Sequence, residues 1–325
     1  MKRRDFLQNT MLSGTSALLG NLITAQHTGA QQKSRTQKLN SDRILTLTGE
    51  YYRHYPVDFA EGKEGAIGFK GWGGKEEITV SADETAIIPM HIWNIDISPE
   101  LPFTSEGPAG GVMDMLEWAS RSAPIIKTVI PPVFDAARKA GIPLIHVASG
   151  ENYAKKYPGY QRALKLAGSE PAGPGKAPKH DVAKPPDDRK SEMVFGERFT
   201  QSIDYYSERI DFPPQAKPLD NEFVVLTEHQ LTEVLRSMGV WNLIYIGFAI
   251  NWCLWFSPCG MTDMSRLGYR CNCIKECVTA VENRESARGE FNKQQALWRT
   301  SLMFGYIHSV DDFITACGRI KSKKS

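Results

Sequence analysis

The 325-residue chain has little net charge. Its 39 Lys and Arg against 37 Asp and Glu leave +2 at pH 7. A balance this even gives no electrostatic case for nucleic acid or for a polybasic membrane contact. Zinc-finger Cys-x-x-Cys spacing and RNA-binding signatures are absent, so neither class of partner is expected. Long apolar runs are missing too. The stretch up to Ala25 is interrupted by Gln8, Asn9, Ser13, Thr15 and Asn21, too polar and too short for a stable span. No membrane span is expected in the mature chain.

What that N-terminus does contain is a twin arginine. Arg3 and Arg4 are followed by Asp5, Phe6 and Leu7 and then the modestly apolar stretch. This resembles a bacterial twin-arginine export signal, with cleavage after Ala25 or Ala30. Residues 1–30 are read as that signal. The implied partner is the twin-arginine export machinery, and the implied location is the periplasm or beyond.

Six cysteines in an exported chain make disulfides possible. Cys271 and Cys273 are two apart on a predicted strand, so they share a face and do not easily pair with each other. The segment "CNCIKEC" has neither the usual zinc spacing nor a histidine near it in sequence. These cysteines read as small hydrophobes. No metal and no cofactor are expected.

The rest of the chain has ordinary globular composition, with 41% hydrophobic and 23% charged residues. Residues 31–83 read as a polar linker followed by an N-terminal β extension, a hairpin or flap formed by "RILTLTGEYYRHY" and "EEITVSA" around a Gly-rich turn region. Nearly continuous apolar runs at 85–93, 142–149 and 242–248 read as strands buried on both faces. Further strands are predicted at 221–228 and 269–276, with a short sixth in "GYIHS". Helical patterns lie between them, with Pro131 and Pro132 in the first turn of one and one helix running from Cys253 to Gly268. The prediction is α/β: a six-stranded parallel sheet with helices on both faces, over residues 84–318. Residues 150–220, rich in Pro, Gly, Lys and Asp, form a long insertion after strand two, read as a lid, a contact arm or a solvated loop. Residues 319–325 are a basic tail.

Ligands of such sheets bind beyond the carboxyl ends of the strands. His91, Glu228, His229 and Cys253 all fall there. A thiol at a helix start faces free N–H groups, which favour thiolate and can hold an oxyanion. Cys253 therefore reads as a nucleophile or, equally plainly, as a buried thiol between Trp252 and Trp255.

The order of these segments resembles the isochorismatase-like cysteine hydrolases over about residues 84–316. "IPPVFDAARKAGIPLIHV", "VLRSMGVWNLIYIGFAINWCL", "LGYRCNCIKECVTA" and "FGYIHSVDDFITA" carry the likeness. The resemblance implies a six-stranded parallel sheet, a homo-oligomer and hydrolysis of a small amide or related C–N bond. It places the nucleophile at Cys253, a non-proline cis peptide at Phe248–Ala249, and oxyanion donors at the N–H groups of Ala249 and Cys253. The family's Asp corresponds to His91 and its Lys to Glu228. Two readings follow. In one, His91 serves as base and Glu228 orients its ring, with Trp93, His229 and Trp252 at the substrate. In the other, the scaffold binds a ligand or assembles without turnover. The Asp-x-His pattern of metal-dependent relatives is absent from "ASGENYAKKYPGY". His146 reads as a core residue. Specificity is expected to come from the insertion and the N-terminal flap.

Overall fold

The computed structural model describes residues 43–57, 69–101, 117–172 and 205–320. The chain divides into residues 1–39 and 40–325, and everything described belongs to the second unit. The twin-arginine segment, most of the linker, residues 173–204 of the insertion and the tail from 321 onward lie outside the described residues.

Eight strands form one mixed sheet. They are β1 (Ile44–Val57), β2 (Phe69–Ser81), β3 (Thr85–Met90), β4 (Ile145–Val147), β5 (Phe223–Val225), β6 (Asn242–Phe248), β7 (Arg270–Thr279) and β8 (Ile307–His308), in the order β2-β1-β8-β7-β6-β3-β4-β5. Strands β3 to β8 pair in parallel with their neighbours. The N-terminal hairpin does not remain a separate extension. β1 joins β8 antiparallel, with Glu50 opposite Ile307, and the expected six strands become eight. This places the hairpin three strands from β6, roughly 14 Å sideways at normal strand spacing. It is a sheet edge, and the expectation that it supplies specificity as a flap is corrected.

Alternation along β6 shows why the sheet is buried on both sides. Ile244, Ile246 and Phe248 enter one core with residues of β1 and two helices, α2 (Ile130–Lys139) and α9 (Val310–Gly318). Leu243 and Tyr245 enter the other with α5 (Glu228–Met238), α7 (Met261–Arg266) and α8 (Phe291–Met303). Each fully buried aliphatic contributes on the order of 1.5–3 kcal/mol. The cysteines at 271, 273 and 277 take part as buried free thiols, and all six cysteines are unpaired.

Helix starts follow local chemistry. Pro131 and Pro132 sit in the first turn of α2, where a missing N–H costs little. The preceding helical run, α1 (Ala119–Pro124), continues through a π-helical stretch, Ile125–Val129. The two prolines cannot donate back to that stretch, which accounts for its altered hydrogen bonding. The helix predicted from Cys253 to Gly268 is two: α6 (Cys253–Phe256) and α7, separated around Pro258.

The insertion is more ordered than its composition implies. It contributes α3 (Glu151–Ala154), α4 (Pro158–Ala167) and a helical turn at 205–209. Tyr153, Tyr157 and Tyr160, spaced as a helical stripe, pack with Ile210, Phe212 and Val224. The Pro- and Gly-rich middle of the segment masks that stripe in the sequence.

Below this cluster lies a buried ionic network. Glu222, 6% exposed, accepts from Arg138 at 2.7 and 3.0 Å and lies 2.9 Å from His146 Nε2. Burial alone would raise the Glu222 pKa. The His146 and Arg138 hydrogen bonds outweigh it and hold the carboxyl at about 2. Burial lowers the His146 pKa despite Glu222, so this ring is a core residue that stays neutral at neutral pH.

Two stability predictions follow from this fold. A carboxyl depressed to about 2 contributes stability fully above its unfolded value near 4.5, and that stability is lost as pH falls between the two. Urea titrations from neutral pH downward are therefore expected to show an acid-labile component that Glu222→Gln removes, at a cost of about 3 kcal/mol at pH 7. Gly247 has φ +121°, and a Cβ there would run into the Met90 carbonyl. Gly247→Ala is expected to lower stability by about 2–4 kcal/mol, read as a shifted urea midpoint.

Candidate active site

The site grows from two neighbouring strand ends. β3 and β6 run side by side until Met90 lies opposite Gly247. Beyond that point both backbones turn sharply. His91 takes φ +50°, and the Phe248–Ala249 peptide is cis. The latter is where the resemblance puts it.

The turn after β6 is tied to the end of β7. The Ile250 N–H donates to the Thr279 carbonyl at 2.9 Å. Asn251 makes two bonds with the Val281 backbone, one in each direction, both 2.9 Å. The N–H groups of Trp252 and Leu254 go to the Ala249 carbonyl. Cys253 follows as the first residue of α6 and is the only cysteine of the six that is not buried.

The Ser257 side chain and the Ala249 backbone beside the sulfur both favour thiolate. Burial outweighs them, and the net effect raises the Cys253 pKa. The sequence led us to expect a lowered one. The difference has a physical cause: the thiol is largely withdrawn from water, which disfavours its charged form.

His91 is 6% exposed, and burial lowers its pKa to about 4. Its ring stacks on Trp93 at 5.6 Å and 13°. Nδ1 is buried and finds no hydrogen-bond partner among the described residues. No hydrogen bond from Glu228 to the His91 ring is formed among the described residues, so the expected orienting contact is not seen.

The reason lies in how α5 begins. Thr227 caps the helix by accepting from the Gln230 N–H at 3.2 Å, while Gln230 Oε1 accepts from the Leu226 N–H at 2.8 Å. This is a capping-box arrangement, legible in "TEHQ". It makes Glu228 the first residue of a helix packed with Leu254 and Cys259. The charge of Glu228 acts on Cys259. His229 is likewise occupied, its Nε2 lying 2.9 Å from the Ala167 carbonyl oxygen at the end of α4.

The aromatic residues expected to form one pocket are dispersed. Trp252 and Phe256 are exposed, 47% and 69%, and Trp255 is buried with its Nε1 on Thr300 Oγ1. Trp93 alone stays with His91, and its Nε1 donates to Ser149 Oγ at 3.1 Å.

Residues that sequence reasoning missed complete the surroundings. Trp118 packs between Trp93 and Phe248, with ring centroids at 5.6 and 5.7 Å. Tyr206, from the helical turn of the insertion, meets Trp93 edge-on at 6.1 Å. Asn94 holds that segment: its backbone and side chain bond the backbone of Asp211, and its amide reaches the Arg209 carbonyl. Asn152 adds a bond to the Ser207 carbonyl. The paired aromatics in "DYYSERIDF" were the available signal. Among the described residues no group of three or more His, Cys, Asp or Glu side chains is placed to hold a metal ion, and no helix is long and apolar enough to cross a membrane.

No family model matches the chain. Individual proteins do. The ureidoacrylate amidohydrolase RutB of Azorhizobium caulinodans is 24% identical over 255 residues, covering 77% of this chain and 97% of that protein. The ureidoacrylate amidohydrolase RutB of Pseudomonas savastanoi pv. phaseolicola is 27% identical over 249 residues, covering 74% and 86%. Among solved structures, a cysteine hydrolase from Pseudomonas syringae pv. phaseolicola aligns with a TM-score of 0.43 and 13% identity, over 74% of this chain and 96% of that one. The two sequence likenesses run through most of each relative, and both of those relatives are named as amidohydrolases.

Proposed function

We propose that the protein hydrolyses a small amide or related C–N bond with Cys253 as nucleophile. The observation that carries this reading is the position of that thiol. It is the one cysteine that is not buried, it follows the sharp turn at the end of β6, and the Ala249 backbone favours its thiolate form. The relatives' name, ureidoacrylate amidohydrolase, brings ureido compounds into the substrate class.

In the proposed reaction, sulfur attacks the carbonyl carbon and passes its proton to a base. The C–N bond then breaks, the amine leaves with a proton, and water hydrolyses the thioester. His91 is proposed as the base, neutral above about pH 4. The N–H groups of Ile250, Trp252 and Leu254 are already committed to carbonyls. Ala249 and Cys253 are therefore the proposed oxyanion donors. Glu228 enters this scheme only through the start of α5. Trp93 is proposed as a wall of the substrate site, while Trp252 and His229 lie at its margins.

A binding or assembly role without turnover is the second reading, favoured by the raised thiol pKa and by the absence of an ion pair at His91. The twin-arginine segment supports a companion proposal. The protein is exported through that machinery and acts in the periplasm or outside the cell, as a homo-oligomer like others of its superfamily.

Turnover of ureidoacrylate by the purified chain separates the readings. Cys253→Ala is expected to cost at least about a thousandfold in kcat and His91→Ala about a hundredfold or more, whereas Glu228→Gln keeps activity of wild-type order. Full activity in Cys253→Ala sinks the nucleophile. A pH series gives the second prediction. Because His91 is held near 4, the acid limb of kcat/KM is expected there and not near 6.5. Because Cys253 is raised, its alkylation rate is expected to go on climbing past pH 9.

A further inference from the structure

The insertion delivers one polar atom that the fold leaves without a partner. The Tyr206 hydroxyl is buried, and no group among the described residues hydrogen-bonds it. A buried hydroxyl in that state is destabilising, and native proteins rarely retain one without a use. The neighbouring polar groups are already spoken for. Tyr153 Oη accepts from the Ser149 N–H at 2.7 Å and pairs with Ser149 Oγ at 3.2 Å, and Ser149 Oγ accepts from Trp93 Nε1. That chain closes on itself and leaves Tyr206 out.

The position of the ring is enforced from several sides. Trp93 meets it edge-on at 6.1 Å, and it packs with the aromatic cluster of the insertion. Asn152 and Asn94 fix the backbone that follows it, at Ser207, Arg209 and Asp211. A residue held this firmly, with its hydroxyl unpaired, is preorganised for something absent from the free protein. Its location says what. The phenol lies close enough to Cys253 for a charge on that sulfur to act on it. His91 Nδ1, a second buried orphan, lies on the other ring that Trp93 touches.

We propose that Tyr206 is a substrate-binding residue whose hydroxyl donates a hydrogen bond to a carbonyl oxygen of an uncharged, planar carbamoyl or carboxamide group held at Cys253. The role rests on the reading of Cys253 as nucleophile and adds a specificity element that no strand of the core provides. Burial raises the phenol pKa well above its ordinary value, which keeps the hydroxyl a donor across the working pH range. The wall offered by Trp93 suits a flat group.

The proposal makes an unusual pair of demands on Tyr206→Phe. The variant should bind a carboxamide worse and yet fold at least as well, because it deletes an unpaired buried hydroxyl. Two thiol reagents test the first demand without knowledge of the natural substrate. Iodoacetamide carries a carboxamide, and methyl methanethiosulfonate carries none. Adducts on Cys253 are followed by peptide mass spectrometry at about pH 9, with Cys253→Ser as the blank. Tyr206→Phe is expected to slow iodoacetamide about five- to tenfold relative to the thiosulfonate, with an unchanged or higher melting temperature. Equal rates with both reagents, or equal slowing of both, overturn the role of Tyr206. A lowered melting temperature overturns it too, since the hydroxyl would then be structural. Absence of any wild-type adduct at Cys253 is a different failure. It removes the nucleophile itself, and with it this inference.

Discussion

The close pairing of β3 with β6 is the constraint on which the site depends. Met90 lies opposite Gly247, and no side chain fits between their backbones. With the strands held this near, the two chains must diverge at once. His91 turns away with positive φ on one side, and the cis Phe248–Ala249 bond turns on the other. Everything that carries chemistry is hung from those two corners. The nucleophile turn is then secured to β7 through Ile250 and Asn251. The site is thus a property of backbone geometry first and of side-chain identity second.

That ordering explains how a chain whose ionisable residues differ from the pattern of the family it resembles keeps the architecture. The turn requires glycine at 247 and a short residue at 249, and both are present. His91 and Glu228 sit on elements separate from that turn. His91 occupies an apolar surround of Trp93 and its neighbours. An imidazole there is held neutral by lack of solvation, not by a charged partner.

Much of the core was legible in the sequence because buried parallel strands write themselves as apolar runs. "NLIYIGF" gave β6 with its bounds, and Gly239 and Gly268 marked ends of helical segments. Other features were hidden for specific reasons. Strand three was drawn through Glu228, although Thr227 and Gln230 form a capping box that starts a helix there. The hairpin's place at the β8 edge depends on a pairing between the two ends of the domain, which no local pattern encodes. Tyr206 was concealed because composition over 150–220 is dominated by Pro, Gly and Lys, while its location depends on contacts with Asn94 far earlier in the chain. The likeness to a known family pointed to Cys253 but gave no signal for Trp118 or for Tyr206, the second of which the insertion supplies.

The union of β1 with β8 also bears on when the molecule can form. β1 is the first strand to be synthesised and β8 the last, yet Glu50 lies opposite Ile307. Contacts so distant along the chain are slow to close. Until the C-terminal segment leaves the ribosome, the finished hairpin has no neighbour, and the exposed side of β7 has none either. Unpaired strand edges recruit other chains. The hairpin therefore works as a final clasp, and for most of the chain's synthesis its own partner does not yet exist.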